Sequence, residues 1–294
     1  MKKLLITGIS GFLGHHICAE AQKGKWEVIG VDKRPIPENH TYPDQFIQAD
    51  VMDLGFRDLL GIDAVVHLAW RTNIPDCARH PKESTYDNID MSIHLLEVCR
   101  ESQIQKLIFP STASLYSHNP IPWTEDMKPE PIEPYSWEKL TIEYACQMYS
   151  KNYKLPTVIP RFFQVFGEFQ RDDTAIAVFL KKKQDGKPIS LVKSNNKEKV
   201  ESGRRDFVYA GDLAKAVMLA IKSKNTGNGE IINIASGFST SIEEVARAIT
   251  DNIEWVEPRG YEVDEHLADV KKARLLLDWG TEVNVLDWLK KYGA

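Results

Sequence analysis

Thr7-Gly8-Ile9-Ser10-Gly11-Phe12-Leu13-Gly14 is the stretch that decides the fold. It directly follows an apolar, β-prone run, Lys3 to Thr7, and opens a helical pattern, Phe12 to Gln22. In such a turn Gly8 permits the bend, Gly11 lets backbone approach a pyrophosphate, and Gly14 allows the helix to lie close on the sheet. The free N–H groups and positive dipole end of that helix then face the phosphates. Phe12 and Leu13, the first helical residues, join the three glycines as expected cofactor contacts.

Outward from this turn, the next β-rich run, Glu27 to Val31, ends at Asp32. A carboxylate there accepts hydrogen bonds from the adenosine ribose hydroxyls. It favours NAD over NADP by repelling a 2′-phosphate, although Lys33 and Arg34 are the residues that would reach such a phosphate. Asp50-Val51, after a third strand, is expected beside adenine, with a plain loop acid as the competing reading. Further β-rich runs cover Ala64 to Leu68, Lys106 to Phe109 and Thr157 to Ile159, and helical patterns cover Thr85 to Glu101 and Tyr135 to Lys151. Strand–helix alternation implies an α/β fold: a Rossmann-type doubly wound parallel sheet covered on both faces, with ligands at the carboxyl ends of its strands.

After Arg161 the pattern becomes irregular, with one amphipathic helix at Ala175 to Lys183. Arg205 to Lys222 and Ile231 to Ala235 read as a return to the sheet domain. The expected division is a dinucleotide-binding domain of residues 1–161 plus about 205–235. The remaining segments, about 162–204 and 236–294, form a smaller interleaved substrate lobe.

Composition excludes several classes of function. A formal net charge of −5 gives no concentrated positive field for nucleic acid or an acidic membrane. Lys181-Lys182-Lys183 and the stretch Lys193 to Lys199 read as a solvated face and a polar loop. No run approaches the ~18 apolar residues of a membrane span. Cys18, Cys77, Cys99 and Cys146 are widely spaced and form no C-x-x-C, which suits reduced thiols in a cytoplasmic protein. His15, His16 and His67 read as structural or phosphate-adjacent, and no cluster has metal-ligand spacing.

The chemistry is expected at Tyr135-Ser136-Trp137-Glu138-Lys139. Residues four apart share a helix face, so a lysine ammonium would sit near the phenol and lower its pKa from about 10. The phenolate could then take a hydroxyl proton while hydride leaves the same carbon for nicotinamide. Upstream, Pro110-Ser111-Thr112-Ala113-Ser114-Leu115-Tyr116 lies at a strand end. Thr112 and Ser114 are placed to align the substrate hydroxyl there, with a loop-stabilising hydroxyl cluster as the alternative.

This ensemble resembles the extended short-chain dehydrogenase/reductases, in their NAD-dependent nucleotide-sugar epimerase/dehydratase branch. The glycine loop, Asp32, His67-Leu68-Ala69, Asn88, the Ser111 to Tyr116 stretch and Tyr135-x-x-x-Lys139 fall in that family's order. So do Pro160-Arg161-Phe162-Phe163-Gln164-Val165-Phe166-Gly167, Arg205 to Tyr209, and Asn233-Ile234-Ala235-Ser236-Gly237. The resemblance implies catalysis by Thr112, Tyr135 and Lys139, and NAD contacts from Leu68, Ala69, Trp70 and Asn88 beside the residues above. It implies sugar-nucleotide contacts from Ser114, Gln164 and Arg205, with Arg259 as a second phosphate clamp whose spacing departs from the family's. It also implies a homodimer through a four-helix bundle of the two long helices. Trp70-Arg71 stand where small residues are common, and Gln164 where Asn is usual. Ala113-Ser114 stand where 4,6-dehydratases have Asp-Glu, which argues against dehydration. The expected activity is NAD-dependent C4 epimerisation of a nucleotide sugar, with a 4-dehydrogenase or 4-reductase as the rival and a non-catalytic dinucleotide sensor as the third reading.

Overall fold

The computed structural model describes residues 1–193, 202–257 and 264–292. The chain runs β1 (Lys3–Thr7), α1 (Phe12–Lys23), β2 (Glu27–Asp32), β3 (Gln45–Gln48), β4 (Ala64–His67), α2 (Ile74–Arg79), α3 (Pro81–Thr85) and a π turn at Tyr86–Asp90. It continues through α4 (Met91–Glu101), β5 (Lys106–Ile108), β6 (Ser111–Thr112), α5 (Pro134–Tyr153), β7 (Thr157–Phe162), β8 (Gln164–Phe166), α6 (Ala175–Gln184) and β9 (Ile189–Val192). Then come β10 (Arg204–Tyr209), α7 (Ala210–Lys222), β11 (Asn228–Ile234), β12 (Ser239–Ser241), α8 (Ile242–Arg247), β13 (Ile253–Val256), α9 (Lys271–Leu277) and α10 (Val285–Tyr292).

The central sheet has the order β3-β2-β1-β4-β5-β7-β11, every neighbour parallel, with short β6 also on β7. Leu4, Leu5 and Ile6 of β1 have no accessible surface. Successive side chains of a strand face opposite ways. Leu4 and Ile6 therefore pack with Ile17 and Ala21 of α1 and Val217 of α7, while Leu5 packs with Leu95, Leu96, Ile142 and Cys146 of α4 and α5. The chain leaves β1 for β2 on one side and reaches β4 on the other. That reversal opens a crevice beyond Thr7 and His67, the place where doubly wound sheets bind ligands.

Two expectations differ from the structure. The helical pattern from Thr85 to Glu101 is interrupted by the π turn, where buried Asn88 is drawn to Glu138 and to the backbone of Arg71. The strand carrying Arg205 does not rejoin the central sheet. β10 pairs with β8 and β12 in a separate three-stranded sheet. The reason is Asp206, whose buried carboxylate accepts from Ser236 N, Ser236 Oγ, Gly237 N and Ala268 N at 2.8, 2.6, 3.0 and 3.2 Å. From this stretch β11 joins the large sheet and α7 packs on its face. Beside β10, a second core of Phe166, Phe179, Leu191, Val245 and Trp288 carries the β9–β13 pair, α6, α8 and α10.

Candidate active site

The glycine loop is shaped by contacts that forbid side chains. Gly8 has φ +72°, and a Cβ there would lie 2.6 Å from Ala69 N. One on Gly14 would lie 2.3 Å from Ile9 O. At Gly11, the N-cap of α1, an added Cβ would meet only Gly8 O, at 3.2 Å. No side chain caps α1, and its first turn holds no acid, so the N–H groups above Phe12 and Leu13 are left for an anion.

Asp32 closes this end. Its carboxylate accepts from Ser10 N at 3.1 Å and Arg34 N at 2.9 Å, which ties the end of β2 to the glycine loop. Lys33 is ion-paired with Asp50 at 2.6 Å, and Arg34 leans on Asp32. The two cations next to Asp32 are thus already committed to acids. Asp50 also caps the short turn that buries Val51. Leu68 and Ala69 follow β4, and Ala69 N donates to Thr7 Oγ1 at 3.3 Å. His67 is fully enclosed, bonded to Thr7 Oγ1 at 2.7 Å and Ser92 Oγ at 3.1 Å. Burial and then the nearby Lys139 charge push its pKa down to about 3, so it is a neutral strut. Asn88 is also fully buried and serves the framework: it accepts from Arg71 N at 2.8 Å and donates to Glu138 Oε2 at 2.7 Å.

Thr112 ends β6 and caps the following turn, taking Ser114 N at 3.2 Å and donating to Ser114 Oγ at 3.1 Å. Tyr135 and Lys139 lie in the first turns of α5, which Glu133 caps through Ser136 N. The elements β6 and α5 bring Thr112, Ser114, Tyr135 and Lys139 to one end of the sheet. Burial pushes the Tyr135 phenol up to about 12, while the Thr112 hydroxyl beside it pulls the other way. Lys139 Nζ donates to Pro110 O at 2.8 Å and lies 3.7 Å from the centre of the Trp70 ring. Its own pKa falls to about 7 because burial strips its water.

Two charged residues near Tyr135 escaped the sequence reading. Arg171 favours the phenolate and bridges the cleft: it donates to Thr72 Oγ1 and pairs with Asp173, which in turn accepts from Asn73. Glu133 opposes the phenolate, and burial raises its own pKa. Neither stands in a motif, so only the fold brings them to the tyrosine.

Gln164 and Arg205 share the small sheet, Gln164 opposite Phe207. Arg205 Nη1 donates to Arg204 O at 2.8 Å, and its charge helps hold His266, lowered chiefly by burial, at about 3. Arg259 lies outside the described residues. Among the described residues no group of three His, Cys, Asp or Glu could hold a metal, and no helix is long and apolar enough to cross a membrane.

A dinucleotide fits what is present. The α1 end has no side-chain cap and no acid in its first turn, which suits an anion, and the Asp32 carboxylate lies beside it at the end of β2. On the segments after β4 and β5, Trp70 Nε1 and Ser111 Oγ are shielded from water with no partner among the described residues. The family model for the NAD dependent epimerase/dehydratase family matches residues 4–235. An uncharacterized UDP-glucose epimerase of Bacillus subtilis, YtcB, is 30% identical over 98% of this chain and 95% of its own. A UDP-N-acetylglucosamine 4-epimerase from Methanobrevibacter ruminantium, solved with UDP-N-acetylmuramic acid, superposes with a TM-score of 0.89 at 26% identity, covering 99% and 96% of the two chains. A UDP-glucuronic acid 4-epimerase from Bacillus cereus, solved with UDP-glucuronic acid and NAD, gives 0.86 at 28% identity over 98% and 96%. This chain belongs to the NAD-dependent epimerase/dehydratase family of enzymes, and NAD is its cofactor.

Proposed function

We propose that the enzyme inverts C4 of a nucleotide-activated sugar, a UDP-hexose, through a 4-keto intermediate. The observation that carries this reading is the grouping of Thr112, Ser114 and Tyr135 at the carboxyl edge of the sheet, with Ala113-Ser114 in the places where a 4,6-dehydratase would carry its Asp-Glu pair. Thr112 aligns the C4 hydroxyl and Tyr135 takes its proton. Bound NAD would supply the acceptor and later the donor of hydride. Arg171 adds to the field that favours the phenolate, and Lys139 does so while protonated. After the keto sugar turns over, Tyr135 returns its proton to the opposite alkoxide. Arg205, with Gln164 nearby, serves the diphosphate, since a guanidinium matches phosphate oxygens. Residues 1–161 with α7 and β11 build the domain that serves the cofactor, and β10 with the interleaved remainder serves the sugar nucleotide.

The relatives support a nucleotide sugar as substrate, since those named above are epimerases of UDP-glucose, UDP-N-acetylglucosamine and UDP-glucuronic acid. The rival reading, a 4-dehydrogenase or 4-reductase, draws on Trp70, Arg71 and Gln164, since an altered pocket could fix the sugar in one orientation. Proton NMR of the protein with stoichiometric NAD and a panel of nucleotide sugars separates the two. Epimerisation gives a new sugar isomer with NAD unchanged, whereas NADH growing with a keto sugar sinks it in favour of the dehydrogenase.

A homodimer is part of the same reading. Trp137, Tyr144 and Met148 form an exposed stripe at helical spacing on α5, with exposed Tyr86 on the π turn before α4. Light scattering should give twice the 33.5 kDa chain mass. Four buried, unpaired thiols suit a cytoplasmic setting.

A further inference from the structure

Lys139 is a buried ammonium whose neighbouring acids are committed elsewhere. From its own helix it is faced by Glu138, Glu143 and Cys146; from β4 comes His67, and from the segment after β5 come Phe109 and the Pro110 carbonyl. Glu138 accepts from Ser84 Oγ, Thr85 Oγ1 and Asn88 Nδ2 at 3.0, 3.2 and 2.7 Å. Glu143 is bidentate to Arg161 at 2.9 and 2.7 Å. His67 is held neutral. Among the described residues, what remains for three ammonium protons is one carbonyl and two rings, Trp70 at 3.7 Å and Phe109 at 4.7 Å.

The Trp70 ring is held there through the next residue. Arg71 N donates to Asn88 Oδ1, Asn88 Nδ2 donates to Arg71 O at 3.3 Å, and the same amide donates to Glu138. The Arg71 guanidinium is fastened outside by Asp76 and Asp87 at 2.8 and 3.2 Å. Glu138 therefore anchors, two contacts away, the indole that covers its own neighbour in sequence.

We propose that Trp70 is a positioning residue for Lys139: its ring face holds the ammonium at the Pro110 carbonyl and keeps it charged where water is excluded. A cation over an indole gains most when both are desolvated. The consequence for turnover rests on Tyr135 and Lys139 being the proton-transfer pair; the contact itself does not.

The test is a 13Cε titration of lysine-labelled, ligand-free protein, with Lys139 assigned by the resonance lost in Lys139→Arg. Trp70→Leu should lower the Lys139 midpoint by about one pH unit, and Trp70→Phe should recover most of the shift. For Trp70→Leu, the ratio of kcat/KM to that of the parent should fall about fivefold between pH 6 and pH 8, whatever its value at pH 6. A midpoint that does not move in folded Trp70→Leu overturns the proposal, as does a Trp70→Phe midpoint no higher than that of Trp70→Leu. If Trp70→Leu does not fold, Trp70→Phe alone must lower the midpoint by about half a unit, its ring being the weaker one; an unchanged value overturns the proposal. A shifted midpoint with an unshifted pH–rate profile upholds the contact and removes Lys139 from the proton-transfer pair instead.

Discussion

At position 135 a single oxygen has to give up a proton and later return it. In the ligand-free protein burial holds that phenol up near 12, and the hydroxyl of Thr112 is the first group opposing the rise. Removing the hydroxyl therefore does more than loosen the substrate. Thr112→Val should move the acid limb of kcat/KM to higher pH, because the base must be deprotonated to act. It should also lower the maximum about 10²-fold, and Tyr135→Phe should lower it 10³-fold or more at every pH. Steady-state rates across pH 6 to 10 check both. The glycines, Asp32, Thr112 and the Tyr135/Lys139 spacing were legible because each follows from a local rule. The electrostatics at Tyr135 were not. They depend on Arg171 and Glu133, and on Lys139 turning toward Pro110 O, and no sequence spacing encodes where a flexible side chain finds its partner.

α1 lies against the sheet at a distance set by one missing methyl group. Gly14→Ala would put a carbon 2.3 Å from Ile9 O, backbone against backbone, so the helix must shift outward. The expected cost is about 1–3 kcal/mol of stability, with weakened NAD binding because the same helix end faces the phosphates. Thermal unfolding and NAD titration measure the two effects separately. At this scale the strands and long helices were readable from periodicity, since Leu4 to Ile6 and α5 obey it plainly. The break at the π turn was not, because its cause is Asn88 answering Glu138, a partner 50 positions away. The pairing of β10 escaped for the same reason: Asp206 draws its donors from 236, 237 and 268.

Across the molecule, burial suppresses the basicity of several histidines: His67 to about 3, His15 to about 4, and His16 and His40 in the same direction. The unfolded chain takes protons on these groups near pH 6.5 while the folded protein does not. Stability is therefore full above about pH 6.5 and falls as pH drops toward 4. The enclosed His67 alone contributes a slope of about 1.4 kcal/mol per pH unit through this range. His67→Gln, which keeps polar atoms in the strut but cannot titrate, should flatten the fall in unfolding temperature between pH 6.5 and 4. The buried pair of Arg161 with Glu143 behaves differently. Arg161→Met leaves a carboxylate enclosed without its cation, and unfolding in denaturant should show a loss of about 3–5 kcal/mol.

The last strand of the large sheet, β11, is contributed by residues 228–234, and α7, which covers α1 and one sheet face, by residues 210–222. During synthesis, then, β7 waits with an open hydrogen-bonding edge, and Ile17, Ala21 and the outward side chains of β1 wait uncovered, while more than fifty further residues leave the ribosome. A nascent chain stalled near residue 193 carries a sheet with a bare edge and a bare face, the condition under which strands recruit one another. Such an intermediate should be the species that holdase chaperones retain, and release should coincide with the emergence of β11.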